Sequence, residues 1–569
     1  MGITKMPKNV VTNVHTKPVG FAPILAHYFK NCGIVDIIDT NVPTDPRRKV
    51  LTHGEAAIAM ITGILFQVMQ LYRICEFAKE STVLDALLPD IAPQDYFDDR
   101  LADTLDALYD YGLGNLETMI TNSMINAFDI KTEICHNDTT CALTFGDADK
   151  HRSDHAIKIT FGYSKQYRND LKQLVWSLSV SSDSAFPLFQ QAYSGNTADV
   201  DTYVEQWHHL IDLLGETNFL FVGDSKVATR QNMAHIHDHD GFFLSPLPMY
   251  SSYEKAFNDA LDHHDREELI SYKNRFNRGF EAPLIVNHEG KDYPFRMIIL
   301  FDHGLFHRKK KSLHQRIEKT QKAFDELSSK LNTYNLKKEA AIDNACQAIL
   351  KKYKTGDFFD YTLNNDSLVT YKNSRRGKPS TKSPAEKVMV AQDRFSIDLG
   401  FNQSAFDQAL SRAGYYPLVT NQPASELSIE DTMIAHKNQY KVEHNYRRSK
   451  SGYHLEPIYL HTPERIESYL FLFKIALQVI VLIERTARSN IEARNKGLDN
   501  FMPNKKDYRT PKAEYLLQKF EHIVSGTIRL ADGNDYGFVS ELTDLQRDIL
   551  TLLEVPKHCY SYAYLFDTS

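Results

Sequence analysis

This sequence predicts a mixed α/β protein with a helical N-terminal part. Three observations carry that prediction. Strand-like and helix-like runs alternate between about 133 and 222. The first 130 residues are dominated by helix formers, and a very apolar run near 470 has the length of a helix. At 569 residues the chain exceeds one ordinary core, so three or four structural units are expected.

The elements follow in chain order. Residues 54–78 repeat apolar side chains every three to four positions, which predicts one helix, with 45–49 (DPRRK) in a loop before it. Residues 133–145 (EICHNDTTCALTF) are rich in Thr and apolar residues and read as a strand. Residues 174–180 and 188–193 read as a hairpin joined by a Ser/Asp turn. A helix is expected over 200–214. Residues 218–222 (NFLFV) form a short, continuously apolar strand suited to a buried sheet centre, and Gly223-Asp224-Ser225 ends it. From 246 to 412 the pattern is less regular. It holds a charged stretch, 308–354, with long helical periodicity, and a segment, 373–384, that reads as an exposed loop. A strand is expected over 415–420, a turn over 421–426, and a polar helix over 428–451. A very apolar helix over 463–488 has Pro in its first turn. The end of the chain, from about 500, is mixed, with one helix over 541–553. There is no internal repeat.

Composition narrows the class. Apolar residues make up 42% and charged residues 24%, the balance of a soluble globular protein. Six scattered cysteines with no CxxC pair argue for a reducing compartment and against a zinc ribbon or disulfide framework. The N-terminus lacks the apolar stretch of a signal peptide. The most apolar run, 469–483, contains Lys474 and Gln478 and is too short to span a bilayer, so a buried helix in a cytoplasmic protein without membrane partners is expected. Net charge is −7, yet cations cluster. Residues 150–172 hold six Lys/Arg against two Asp, and 308–322 hold seven against one Glu. Residues 372–387 hold six against one Glu, and 437–450 five against one Glu. Each run fits a solvated face equally well; four of them together fit tracks for a phosphate backbone.

Two-metal phosphoryl transfer needs carboxylates from separate elements converging on ions about 3.5–4 Å apart. Asp138 lies within a strand and Asp224 at the carboxyl end of one, where open α/β sheets bind ligands. An Asp after a strand also fits a turn or helix cap. An acid in the middle of an apolar strand is costly to bury without a partner. On a helix, Glu443 shares a face with Tyr446 or Arg447 and with Lys450, which also fits a surface Glu–Arg pair. The His-rich stretches AHIHDHD (His235, His237, His239) and DHHD (His263, His264, Asp265) lack zinc spacing and fit exposed turns or helix faces.

Ordered motif blocks add a family resemblance covering nearly the whole chain. They are 42–54 (VPTDPRRKVLTHG), 70–73 (QLYR), 136–140 (HNDTT), 161–174 (FGYSKQYRNDLKQL), 195–199 (GNTAD), 223–225 (GDS), 440–450 (YKVEHNYRRSK), 463–467 (PERIE) and 541–556 (ELTDLQRDILTLLEVP). In these the chain resembles the DDE transposases of bacterial insertion sequences, in the branch with a long insertion before the third acid (the group named after insertion sequence sixteen-thirty-four). That group carries a Tyr, Arg, Glu, Lys signature with two, three and six residues between members. Here the positions hold His436, Gln439, Glu443 and Lys450, so Glu and Lys match and Tyr and Arg do not. Tyr440 and Arg447 are the neighbouring candidates for the missing roles.

The resemblance implies a ribonuclease H-like core, 131–245 plus 413–495, interrupted by an insertion domain, 246–412. A helical N-terminal DNA-binding module, 1–130, would precede it and a C-terminal region, 496–569, follow. It implies Asp138, Asp224 and Glu443 as catalytic, metal-binding acids holding two Mg²⁺ (or Mn²⁺) ions. Lys450, Arg447, Arg448, Lys441, Lys165 and Lys172 would meet DNA. The implied partners are double-stranded DNA, both the element's terminal inverted repeats and its target, and a second copy in a homodimeric synaptic complex. The implied reaction is cleavage at element ends and strand transfer. A ribonuclease H-like nuclease without strand transfer, and a catalytically silent DNA-binding descendant, are the alternatives.

Overall fold

The computed structural model describes residues 11–48, 50–144, 151–164, 168–198, 200, 202–264, 267–272, 275–374 and 386–566. The chain divides into two compact units. One comprises 1–248, 283–296 and 419–569; the other comprises 249–282 and 297–418.

The first unit contains a sheet in the order Pro187–Ser194, Gln173–Ser181, Ile134–Leu143, Leu220–Val222, Phe242–Pro246. The first three strands are antiparallel neighbours, and the last two join the Ile134–Leu143 strand in parallel. Gln173–Ser181 is buried along its whole length, as expected of a strand covered on both faces. The helix Pro463–Ala493 crosses this unit with residues 466–484 almost wholly buried. It is much longer than the apolar run alone suggests, and among the described residues it is the one helix long and apolar enough to cross a membrane. Its apolar window is instead buried within the protein. Lys474 and Gln478, two polar residues of that stretch, find partners for their nitrogens, while Gln478 Oε1 is buried without one. Lys474 Nζ lies 3.3 Å from Glu117 and donates to Thr121 Oγ1 (2.5 Å), and Gln478 Nε2 donates to the Pro187 carbonyl (2.9 Å). Such a pair is tolerated in a core only because each charge meets its opposite and further hydrogen bonds.

Several elements differ from the sequence-based reading, each for a local reason. The helix expected over 54–78 is two helices, His53–Leu65 and Leu71–Glu80. The chain turns at Phe66–Gln70, where Gln67 takes a positive φ of 61° and Phe66 stacks on Phe21 at 4.1 Å. A Cβ on Gly63 would lie 2.9 Å from the Val68 carbonyl, so the returning chain needs that glycine. The start of the largely helical N-terminal part is a strand, Val11–Pro18, paired with Val524–Leu530, which also pairs with Asp535–Val539. The polar helix expected over 428–451 is split into Ile429–Lys437 and Tyr440–Arg447, followed by a π-helical turn over Arg448–Gly452. Arg230–Asp238 and Phe242–Pro246 are a helix and a strand that the pattern did not single out.

The second unit supplies the regularity missing from the 246–412 pattern. Its periodic stretch forms two helices, His303–Ser329 and Glu339–Tyr353. A hairpin of Phe359–Asn365 and Phe395–Phe401 packs on them, with Phe395, Tyr361, Leu363, Ile397 and Leu399 set against Phe324, Leu327, Ile342 and Cys346. The segment read as a loop, 373–384, follows a strand, Leu368–Asn373, and most of it lies outside the described residues.

Candidate active site

The strands that lead to the two aspartates are neighbours. His136 lies opposite Val222 across parallel strands, where the pairing ends. Asp138 lies two residues further along its own strand, and Asp224 two residues beyond Val222. Alternation along the strand decides which way each side chain points. Asn137 is buried, and its Nδ2 donates to Ser179 Oγ (2.9 Å), Ser177 Oγ (3.1 Å) and Gln206 Oε1 (3.4 Å). Asp138 therefore faces the opposite side, half-buried, with Oδ1 accepting from the Thr139 amide at 2.7 Å. Asp224 lies just past the end of its strand, after Gly223. Its Oδ1 accepts from Tyr203 Oη (2.8 Å) and the Lys226 amide (2.9 Å), and Ser245 Oγ donates to its carbonyl (2.7 Å). Gly223 has no room for a side chain: a Cβ there would lie 2.5 Å from Val227 Cγ2 and 3.1 Å from the Tyr203 ring.

The helix Tyr440–Arg447 docks on the strand of Asp138 through residues on either side of Glu443. Gln439, at its N-cap, donates from Nε2 to the Asn137 carbonyl (2.7 Å). The Gln439 amide oxygen pairs with His136 Nδ1 at 3.0 Å. An amide oxygen only accepts, so His136 carries its proton on Nδ1 and its Nε2 accepts from Ser182 Oγ (3.3 Å). Burial pushes His136 down to about 4 against the opposing effect of the Gln439 bond, so the ring is neutral near pH 7. Tyr446 Oη donates to the carbonyls of Asp138 (2.6 Å) and Trp176 (3.1 Å). Glu443 lies four residues after one anchor and three before the other, on the flank of the docked face, and is exposed. Among the described residues, no group of three His, Cys, Asp or Glu side chains stands close enough to hold a metal ion as placed. The donor chemistry itself, carboxylates from a strand, a strand end and a helix, suits a hard divalent ion.

The cations divide into different kinds. Arg447 is exposed. Lys450 donates from Nζ to the Cys141 carbonyl (2.5 Å) and pairs with Glu456 at 3.3 Å, and Lys441 donates to the Ser182 carbonyl. Lys172 is half-buried, and its carbonyl accepts from the Thr144 amide (3.0 Å). Lys165 lies outside the described residues. Arg448 corrects the expectation that it meets DNA. Its guanidinium is buried between Glu484 (2.6 Å) and Glu514 (2.6 Å), at the start of the π turn. Gln439 and Tyr446, neighbours of Tyr440 and Arg447, hold the helix to the Asp138 strand. The His-rich stretch 235–239 lies on the Arg230–Asp238 helix and its cap, where His235 and His239 stack at 4.2 Å.

Tyr203, Ser245 and Gln206 also escape sequence reasoning. Nothing in their local pattern marks them, since each matters only through a partner 21 to 69 positions away. The motif blocks do have local structural causes. A Cβ on Gly162 would lie 1.9 Å from the Gly195 carbonyl, and one on Gly195 would lie 2.0 Å from the Gln173 carbonyl. The blocks 161–174 and 195–199 therefore meet backbone to backbone, and Gln173 Nε2 seals the contact on the Gly195 carbonyl (2.8 Å). In the PERIE block, Glu464 Oε1 accepts from the amides of Arg152 and Ser153 (both 2.6 Å) and Glu467 Oε1 from that of Ile157 (3.1 Å).

No curated protein matches the chain. A domain of unknown function (DUF4277) matches residues 14–122. The transposase DDE domain matches residues 164–479, a range that holds Asp224 and Glu443 and begins after Asp138. That match spans more than half of the sequence, and the mixed α/β sheet of the first unit is the kind such a domain implies; the chain belongs to the transposase DDE domain family.

Proposed function

We propose that this transposase cuts DNA at the ends of an insertion sequence and joins the freed ends to target DNA, using Asp138, Asp224 and Glu443. One observation supports this reading: the strand of Asp138 pairs in parallel with the strand that leads to Asp224, and the Glu443 helix is clamped to that same Asp138 strand. These three carboxylates would hold Mg²⁺ or Mn²⁺, two ions in all, which supply charge neutralisation and an activated oxygen nucleophile when bound. Tyr203 and the Lys226 amide hold Asp224 Oδ1 in place. Gln439 and Tyr446 fix the height of Glu443 along the Asp138 strand.

In the first step water attacks the phosphodiester at the element end. The P–O3′ bond breaks as the new P–O bond forms; the water gives up its protons through solvent and the leaving 3′-oxygen takes one up, so a 3′-hydroxyl and a 5′-phosphate remain. In the second step that 3′-hydroxyl attacks a target phosphodiester and displaces a target 3′-oxygen, its proton passing through solvent to the displaced oxygen, so no bond to the protein forms. Arg447, Lys441, Lys450, Lys172 and Lys165 would steer phosphates, and Arg448 is assigned to structure instead. The N-terminal module, 1–130, would recognise the terminal repeats, the insertion, 246–412, would clamp DNA, and a homodimer in the cytoplasm would synapse two ends.

Incubating the purified protein with Mg²⁺ and DNA flanking its own gene tests this reading. Breaks at inverted repeats, followed by joining to a second duplex, are expected. Asp138→Ala, Asp224→Ala and Glu443→Ala should each lower cleavage by at least about a thousandfold while leaving end binding nearly unchanged. Chelating the metal should do the same reversibly. Full cleavage by Asp224→Ala would sink the assignment, and cleavage without any joined product would make the protein a nuclease.

A further inference from the structure

The hairpin of the second unit changes character half-way along. At its root, Phe359–Asn365 pairs with Phe395–Phe401, and one face packs on the two helices. Beyond the bond from the Asp366 amide to the Arg394 carbonyl (2.9 Å), the two strands continue as a ribbon, Leu368–Asn373 against Lys387–Gln392. No residue of this outer ribbon belongs to the clusters that hold the root. Even so, seven of its twelve residues are apolar. Tyr371 is 64% exposed, Met389 62%, Val369 55%, Val388 49% and Leu368 48%.

Register puts Val369, Tyr371, Met389 and Ala391 on one face with Asn373 and Lys387, and Leu368, Val388 and Val390 on the other with Thr370, Lys372 and Gln392. A two-stranded ribbon bare on both faces is marginal in water, and grouped exposed apolar side chains mark a surface that is covered in use. Charge indicates by what. Lys387 ends the first face and Lys372 the second, and the connecting residues 375–385 add Arg375, Arg376, Lys378 and Lys382, with Glu386 the one acid between Lys372 and Lys387. Cations at the end of each face suit a polyanion with two phosphate walls. A six-residue ribbon is about 20 Å long, and the major groove, about 12 Å wide, admits a two-stranded ribbon.

We propose that the ribbon Leu368–Asn373/Lys387–Gln392 is a DNA-docking arm that enters a groove of duplex DNA, with Lys372 and Lys387 on phosphates and the exposed apolar side chains against sugars and base edges. This rests on the transposase reading and names the part of the chain that would grip DNA away from the three acids.

The test uses the full-length protein and two double variants, Lys372→Glu with Lys387→Glu, and Tyr371→Ala with Met389→Ala. Both alter exposed side chains, so thermal unfolding should be unchanged. The probes are a short duplex taken from the flank of the gene and an unrelated duplex of equal length, titrated at several salt concentrations, with mass measured by light scattering. The charge variant is expected to lose at least about tenfold in affinity for both duplexes and about two units of the log–log salt slope. The apolar variant is expected to lose about threefold to tenfold with its salt slope intact. Wild-type affinity and slope in both variants would overturn the arm. A changed mass with unchanged DNA affinity would also overturn it, giving the ribbon to a contact between two copies. Failure of the unmodified protein to bind either duplex would overturn the transposase reading itself and the arm with it.

Discussion

Tyr446 sets one hydroxyl against two strand carbonyls, those of Asp138 and Trp176, and so ties the Glu443 helix to the backbone that carries the first acid. Tyr446→Phe removes both bonds and keeps the ring that packs edge-on to Trp176 at 5.7 Å. The expected cost is about 1–2 kcal/mol of stability, together with a rise of about tenfold in the Mg²⁺ concentration that half-saturates cleavage. A metal titration of the cleavage rate checks this, and an unchanged midpoint would leave Tyr446 a packing role alone. Glu467 makes a different prediction. Burial pushes its carboxyl up to about 7, with the Ile157 amide opposing and the nearby Glu464 adding to the rise. Between its ordinary value of 4.5 and about 7 the folded protein therefore holds a proton that the unfolded chain releases, and this stabilisation is lost as pH rises through 7. Glu467→Gln keeps an acceptor for Ile157 and removes the charge. Its unfolding temperature should fall less between about pH 5 and pH 8, with a gain of about 1–3 kcal/mol at the upper end. A parallel fall in variant and parent would refute this.

At the scale of elements, periodicity and chemistry do separate work. The strands over 134–143, 173–181, 187–194 and 415–420 and the helix from Pro463 are legible because apolar pattern and turn residues agree with the tertiary environment. The split helices are not legible, because nothing local forbids helix through Phe66–Gln70 or Asn438–Gln439. The breaks arise where Phe66 meets Phe21 and where Gln439 reaches the Asn137 carbonyl, both long-range contacts. The meeting of the 161–174 and 195–199 blocks is an element-scale contact with a sharp test. In Gly195→Ala the new Cβ must displace the Gln173 and Thr160 carbonyls, which stand 2.0 and 2.5 Å from its position. A loss of at least about 2 kcal/mol is expected from thermal unfolding, and a neutral variant would show that this contact yields easily.

At the scale of the whole molecule the chain is two compact units, each assembled from segments distant in sequence. The net charge of −7 describes neither the basic ribbon of the second unit nor the ion pairs that bury Arg448 and Lys474 in the first. Cation runs in the sequence therefore overstate the DNA-facing charge, since a buried arginine and an exposed one are written with the same letter. By itself the sequence determined the α/β class, the strand and strand end that carry Asp138 and Asp224, and the ordered motifs of a DDE transposase, because these depend on local pattern and residue type. Only the tertiary structure decided that the strands leading to the two aspartates are neighbours, that Gln439 and Tyr446 seat the Glu443 helix, and that Arg448 faces inward. Those facts reside in strand register and in contacts across hundreds of residues, where hydrogen-bond satisfaction and packing, rather than local propensity, fix the outcome.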